Sequence, residues 1–338
     1  MIITTEPNII ILIHTVISYL NKDTMIQNKK LKVEKIVLES NKKPMIANEF
    51  FKKIIRKILS IIILEEKIDF QEFVLRVNNK DKGGLLYRDK NYWAELSCPI
   101  YQEIVETFKP TFFLDIGANY GFTSLVHFVK NPECKIIAVE PSSILIPYLQ
   151  KNLKENSCCN FDIVNSVCTD QEQKQREQIF SLNPNSSQDN RVIGLKGWKS
   201  TKVSCTTIDS LLVNVTDNDR VFIKIDTQGF EEKVFKGGEK FFKSNINWIV
   251  KSEFAPHWLT SQGSDPQNVL EYLINLYMVF ELPKRSRFKD SIDTVIKYPI
   301  NKLDIPEFVD YIQKLANGYG WCDILVLPRD LYHKFYKS

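Results

Sequence analysis

From Pro110 onward, short apolar runs alternate with helical patterns, and this alternation constrains the chain more than any other feature. Buried strands separated by helices pack best as a parallel sheet covered on both faces. The runs at 111–116, 135–139, 159–164, 220–225, 248–253, 277–282 and 323–327 read as strands. Together they predict one α/β domain over residues 91–338, built on a doubly wound seven-stranded sheet. Residues 170–202 interrupt the alternation: they are polar, rich in Gln, Asn and Ser, and read as an insertion with a short strand near 178–182.

Before that domain, residues 1–90 read as an N-terminal, mostly helical extension of unassigned role. Phe51, Ile54, Ile55, Ile58, Ile61 and Ile62 recur at helical spacing and predict an amphipathic helix over 48–66. FVLRVNNKDKGGLLYRD reads as two short strands around a Lys-Gly-Gly turn, and NYWAELSCPIYQEIVETFKP as a helix ended by Pro110. The apolar stretch 9–20 is too short to span a bilayer, and no basic residue precedes it as in a signal peptide. A net charge of +4 is too mild for a nucleic-acid partner. Local lysine clusters, NKKLKVEK and FFKKIIRK, read as solvated helix faces, with peripheral membrane contact as the alternative. Seven cysteines without a C-x-x-C pair or zinc-ligand spacing read as reduced thiols, and hence a cytoplasmic protein. Oligomeric state is not legible.

The first strand runs into DIGANYGFTS, an acid followed by glycines and then a helix. Glycines permit a sharp turn and close approach of a ligand, and the helix start offers unpaired amide donors. A dinucleotide site calls for G-x-G-x-x-G, and a P-loop for a Lys-Ser/Thr pair; Gly117-Ala-Asn-Tyr-Gly121 has neither. Instead Asp115 suits an ammonium, and Glu140, ending KIIAVEP at the second strand, suits a pair of ribose hydroxyls. A phosphate-free nucleoside with an amino-acid end meets those terms. S-adenosylmethionine is such a molecule.

DIGANYGFTS, AVEP, VSCTTIDSLL, FIKIDTQGFEEKVFKGG and IVKSEF, in that order, resemble the FkbM-type S-adenosylmethionine-dependent methyltransferases. The resemblance covers about 112–328. It implies a class I methyltransferase Rossmann-like fold whose last strand is inserted antiparallel, and O-methylation of a hydroxyl on a sugar, glycolipid or natural product. It also implies Asp115, Gly117, Asn119 and Gly121 as the cofactor loop, Glu140 as the ribose acid, and NSVCTD as the segment along the adenine, with Ser166 and Val167 as neighbours. Methylation of another small molecule, and a cofactor-binding module without turnover, stay open as alternatives.

Methyl transfer to a hydroxyl needs in-line positioning and removal of a proton. Asp226, at the end of the fourth strand, is the natural acceptor-side carboxylate, and Glu253, at the tip of the fifth, is level with it. His257 follows, with an unperturbed pKa suited to proton transfer near neutrality. Glu231 fits the family's D-x-x-G-x-E, whereas Gln228 stands where many members have Glu. No cluster has metal-ligand spacing, so no metal is expected. The basic run ELPKRSRFKD reads as a solvated loop, or as a rim for anionic acceptors, and Trp198, Trp258 and Trp321 as core or as platforms for a sugar.

Overall fold

A computed structural model describes residues 65–89, 99–170, 177–282 and 298–336. Among the expectations above, the stretch at 9–20, the lysine clusters, the amphipathic helix up to residue 64 and the basic run from 283 lie outside the described residues.

All seven expected strands form, in one sheet: β3 (Phe112–Ile116), β4 (Lys135–Val139), β5 (Phe161–Val164), β9 (Arg220–Ile225), β10 (Asn247–Phe254), β11 (Met278–Leu282) and β12 (Cys322–Leu327). Their order is β11-β12-β10-β9-β3-β4-β5, and β12 runs antiparallel to both neighbours while the other pairings are parallel. Successive side chains of each strand enter opposite cores. Phe113, Ile136 and Phe222 pack on one side of the sheet, and Leu114, Ile137 and Ile223 on the other. Helices cover both faces, so the strands carry continuous apolar runs in place of a polar–apolar alternation. The chain leaves β3 for β4 and β5 in one direction and returns beside β3 at β9, which places a crevice at the carboxyl ends of β3 and β9.

The first core also takes up residues placed at the sequence level in the N-terminal extension, and the compact unit begins at Glu65. Val74–Asn78 (β2) forms, but its partner is β1 (Glu65–Asp69), which lies before it. The expectation of two strands around Lys-Gly-Gly is therefore corrected. Asp81 caps a short helix, Lys82–Leu85, by accepting from the Gly83 amide, and a 3-10 turn, Leu86–Arg88, continues it. The helix expected over 91–110 is described from Pro99 to Phe108.

The insertion carries its strand, β7 (Glu177–Leu182), within a further sheet of order β6-β8-β7 that was not foreseen. Its other members are β6 (Ser166–Cys168), within NSVCTD, and β8 (Lys199–Thr206), which runs into VSCTTIDSLL.

Candidate functional site

A cavity of about 420 Å³ lies at the carboxyl ends of the central strands. On its β3–β4 side the chain turns at Gly117, whose φ is 81° and where an added Cβ would stand 1.9 Å from the Asp226 carbonyl oxygen. Only glycine fits there. The amides of Gly117 and Ala118 both donate to the Val139 carbonyl, at 2.9 and 3.0 Å, which pins the turn to the end of β4. Next along β4, Glu140 is 4% exposed. One of its oxygens accepts from the Asn119 amide and the other from the Ser142 amide, both at 2.8 Å. Burial pushes the carboxyl up to about 7, against the two amides, which favour the charged form. Each oxygen keeps a lone pair for a further donor from the cavity. Ser166, Val167 and Cys168 of β6 line the same wall, with the Ser166 hydroxyl 2.9 Å from that of Ser204.

Asp115 lies beneath this loop, fully buried and outside the cavity lining. Its carboxylate accepts from Ser124 Oγ at 2.6 Å and stands 3.4 Å from Lys224 Nζ. Lys224 donates to the Gly117 carbonyl at 2.8 Å and is 3.5 Å from Asp226. Burial works against its charge, but Asp226 and Asp115 outweigh it and hold the ammonium above the usual lysine range. Sequence reasoning missed Lys224. The signal was present, a lysine between the fully buried Ile223 and Ile225 in an otherwise apolar strand.

On the β9–β10 side, Asp226 and Glu253 both line the cavity and are joined by Gln228, whose amide donates to each, at 3.0 and 3.2 Å. Burial first, then the negative charges of Asp226, Glu231 and Asp323, push the Glu253 carboxyl well above the usual carboxylate range. Glu231 points inward: one oxygen accepts from the Thr227 amide, the Thr227 hydroxyl and the Gly229 amide, so it shapes the loop after Asp226. Lys251 pairs with Asp323 at 2.8 Å across β10 and β12. Trp258, Tyr319 and Trp321 supply aromatic surface, while Trp198 stays out of the wall and packs near Arg191. The Arg191 guanidinium lies 3.9 Å from the centre of the Trp258 ring.

The structure thus brings Gly117, Asn119, Glu140, Ser166, Asp226 and Glu253 to one cavity, and leaves Asp115, Gly121 and His257 outside its lining. Gly121 precedes the helix Phe122–Lys130 as its N-cap. His257 sits edge-on to Trp258 and Tyr319, with ring centroids at 4.7 and 4.6 Å, in an aromatic cluster. Leu86, Tyr87, Phe180 and the stretch 187–190 also line the cavity, from segments in which no site residue was expected. Among the described residues, no group of three or more His, Cys, Asp or Glu side chains is arranged to hold a metal ion. Nor is any helix among them long and apolar enough to cross a membrane.

Several solved structures align over much of the chain. Precorrin-6y C5,15-methyltransferase from Geobacter metallireducens GS-15 does so at 18% identity over 54% of this chain and 73% of that one, with a TM-score of 0.31. M. jannaschii TYW2, in complex with AdoMet, aligns at 12% identity over 78% and 85%, with a TM-score of 0.36. The O-methyltransferase TomG from Streptomyces achromogenes, in complex with SAM, aligns at 10% identity over 70% and 80%, also at 0.36. Likenesses this distant carry no weight here. No curated protein matches the chain. Residues 115–282, from the acid beneath the glycine loop to the end of β11, match the Methyltransferase FkbM domain, and the chain belongs to that family of methyltransferases.

Proposed function

We propose that this chain transfers the methyl group of S-adenosylmethionine to a hydroxyl of a sugar, glycolipid or natural product in the cytoplasm. The observation that carries the cofactor reading is Glu140, a nearly buried carboxylate at the tip of β4 that faces the cavity with acceptor capacity left on both oxygens. Those acceptor oxygens fit a pair of ribose hydroxyls, and their charge repels phosphate. Gly117 leaves the backbone open to close approach, and Ser166, Val167 and Cys168 offer a flat wall for a base. When bound, the cofactor supplies an electrophilic methyl group on a positively charged sulfur.

The residues opposite then have the proton to manage. Asp226, which faces the cavity beside the Lys224 ammonium, accepts the proton of the acceptor hydroxyl. Glu253, which burial favours in its protonated form, orients that hydroxyl, and Gln228 fixes the spacing between the two carboxyls. Trp258, Tyr319 and Trp321 give an apolar ring face a surface to pack on. The test is to incubate the protein with methyl-labelled cofactor and extracts of its source organism, then identify the tagged compound. A label on a sugar or alcohol oxygen supports the reading. A label on nitrogen, or none, contradicts the hydroxyl acceptor.

A further inference from the structure

Residues 65–89 precede the family match, yet they are welded to the cofactor loop. Asn152, on the helix Ile146–Glu155, and Asn156, its C-cap one turn further on, act as a substitute strand for β2. Asn152 accepts from the Arg76 amide at 2.8 Å and donates to the Arg76 carbonyl at 3.0 Å, while Asn156 does the same for Val74, at 2.7 Å each. The Asn152 amide also donates to the Tyr120 carbonyl, at 2.8 Å, within the glycine loop. Beyond β2 the chain reaches Asp81, where three segments meet. One oxygen of Asp81 accepts from the Gly83 amide at 3.1 Å and from the Ser187 amide of the insertion at 2.9 Å. The other accepts from the Tyr120 hydroxyl at 2.7 Å.

The two glycines that follow are explained by proximity. A Cβ on Gly83 would stand 2.5 Å from Ser186 Oγ, and one on Gly84 2.7 Å from the buried Tyr120 ring. This close fit delivers Leu86 and Tyr87 to the cavity, where Tyr87 stacks on Phe122 with ring centroids 4.9 Å apart. Leu86 remains 47% exposed, an apolar side chain with a ligand's worth of open space in front of it.

We propose that residues 81–88 form a wall of the cofactor site, with Leu86 and Tyr87 against the bound nucleoside, and that Asp81 is the positioning residue that latches this wall to the cofactor loop and to the insertion. The inference rests on the S-adenosylmethionine reading of the cavity and adds to it a segment that the family match does not include. It also gives the insertion a role, since Ser187 is held by the same carboxylate and its neighbours line the same cavity.

The test is amide hydrogen exchange on the full chain with and without saturating S-adenosylhomocysteine, followed by calorimetry on variants. Slowed exchange at both 117–121 and 81–88 is expected. Leu86→Ala, which removes an exposed side chain outside the buried core, is expected to weaken S-adenosylhomocysteine binding about threefold to tenfold. Tyr120→Phe, which removes only the hydroxyl that Asp81 holds, is expected to lower the ligand-dependent protection of 81–88 more than that of 117–121, an effect that a merely structural role would not produce. Slowing at 117–121 alone, with Leu86→Ala binding as wild type, overturns the proposed wall while leaving the cofactor reading standing. No slowing at either place overturns both.

Discussion

Lys224 is the cation on which the two halves of the cavity meet. It touches the glycine loop through the Gly117 carbonyl and stands between Asp115, in β3, and Asp226, just past the end of β9. Removing one member of a buried ion cluster strands the others, at a cost of about 3–5 kcal/mol. Lys224→Met is therefore expected to lower stability by that order in chemical denaturation, and Asp115→Asn added to it to recover part of the loss. The role proposed for Asp226 is separable. Asp226→Asn is expected to cut methyl transfer to the true acceptor by about 10²-fold or more while cofactor affinity changes little, the signature of a lost proton acceptor. Unchanged turnover in labelled-methyl assays would remove it from the mechanism. At this scale the sequence was legible where a strand end fixes a position, as for Glu140, Asp226 and Glu253, which all line the cavity. It did not give the surroundings of Asp115, since no spacing rule says that an acid at a strand end meets a lysine on the neighbouring strand.

Among the elements, strands buried on both faces were readable because their apolar runs are continuous and β-rich, as in KIIAV and VFIKI. The β6-β8-β7 sheet was not: β8 is exposed along half its length, so polar residues such as Lys199, Ser200 and Thr201 concealed it. The KGG stretch misled for a different reason. Turn glycines and glycines required by close packing look the same in a sequence, and those after Asp81 are of the second kind. Docking of β2 on side chains was equally hidden, because Asn152 and Asn156 on a helix read as ordinary polar residues. Asn152→Ala frees three backbone partners at once, Arg76 N–H, Arg76 C=O and Tyr120 C=O. It is expected to destabilise the protein by about 2–4 kcal/mol, read as a lower thermal midpoint.

For the whole molecule, the core holds a pH-dependent element in His127. Fully buried and stacked on Phe113 with ring centroids 4.1 Å apart, it is held neutral by burial, which lowers its pKa to about 3. An unfolded chain binds a proton there below about 6.5, whereas the folded one resists until about 3. Its contribution is thus fully present above about 6.5 and is lost as pH falls toward about 3. Relative to His127→Leu, wild-type stability should decline over that window with a slope approaching about 1.4 kcal/mol per pH unit in denaturant titrations. The architecture that buries this histidine also shapes the cavity, since the helix carrying it has Gly121, the last residue of the glycine loop, as its N-cap. The most direct measurement of the central claim is calorimetric titration of the full chain with S-adenosylhomocysteine, for wild type and Glu140→Gln, at pH values on either side of 7. Tight wild-type binding that weakens as pH falls below about 7, and that the substitution reduces about tenfold or more, is the expected result. Absence of binding, or equal binding by the two proteins at every pH, would contradict it.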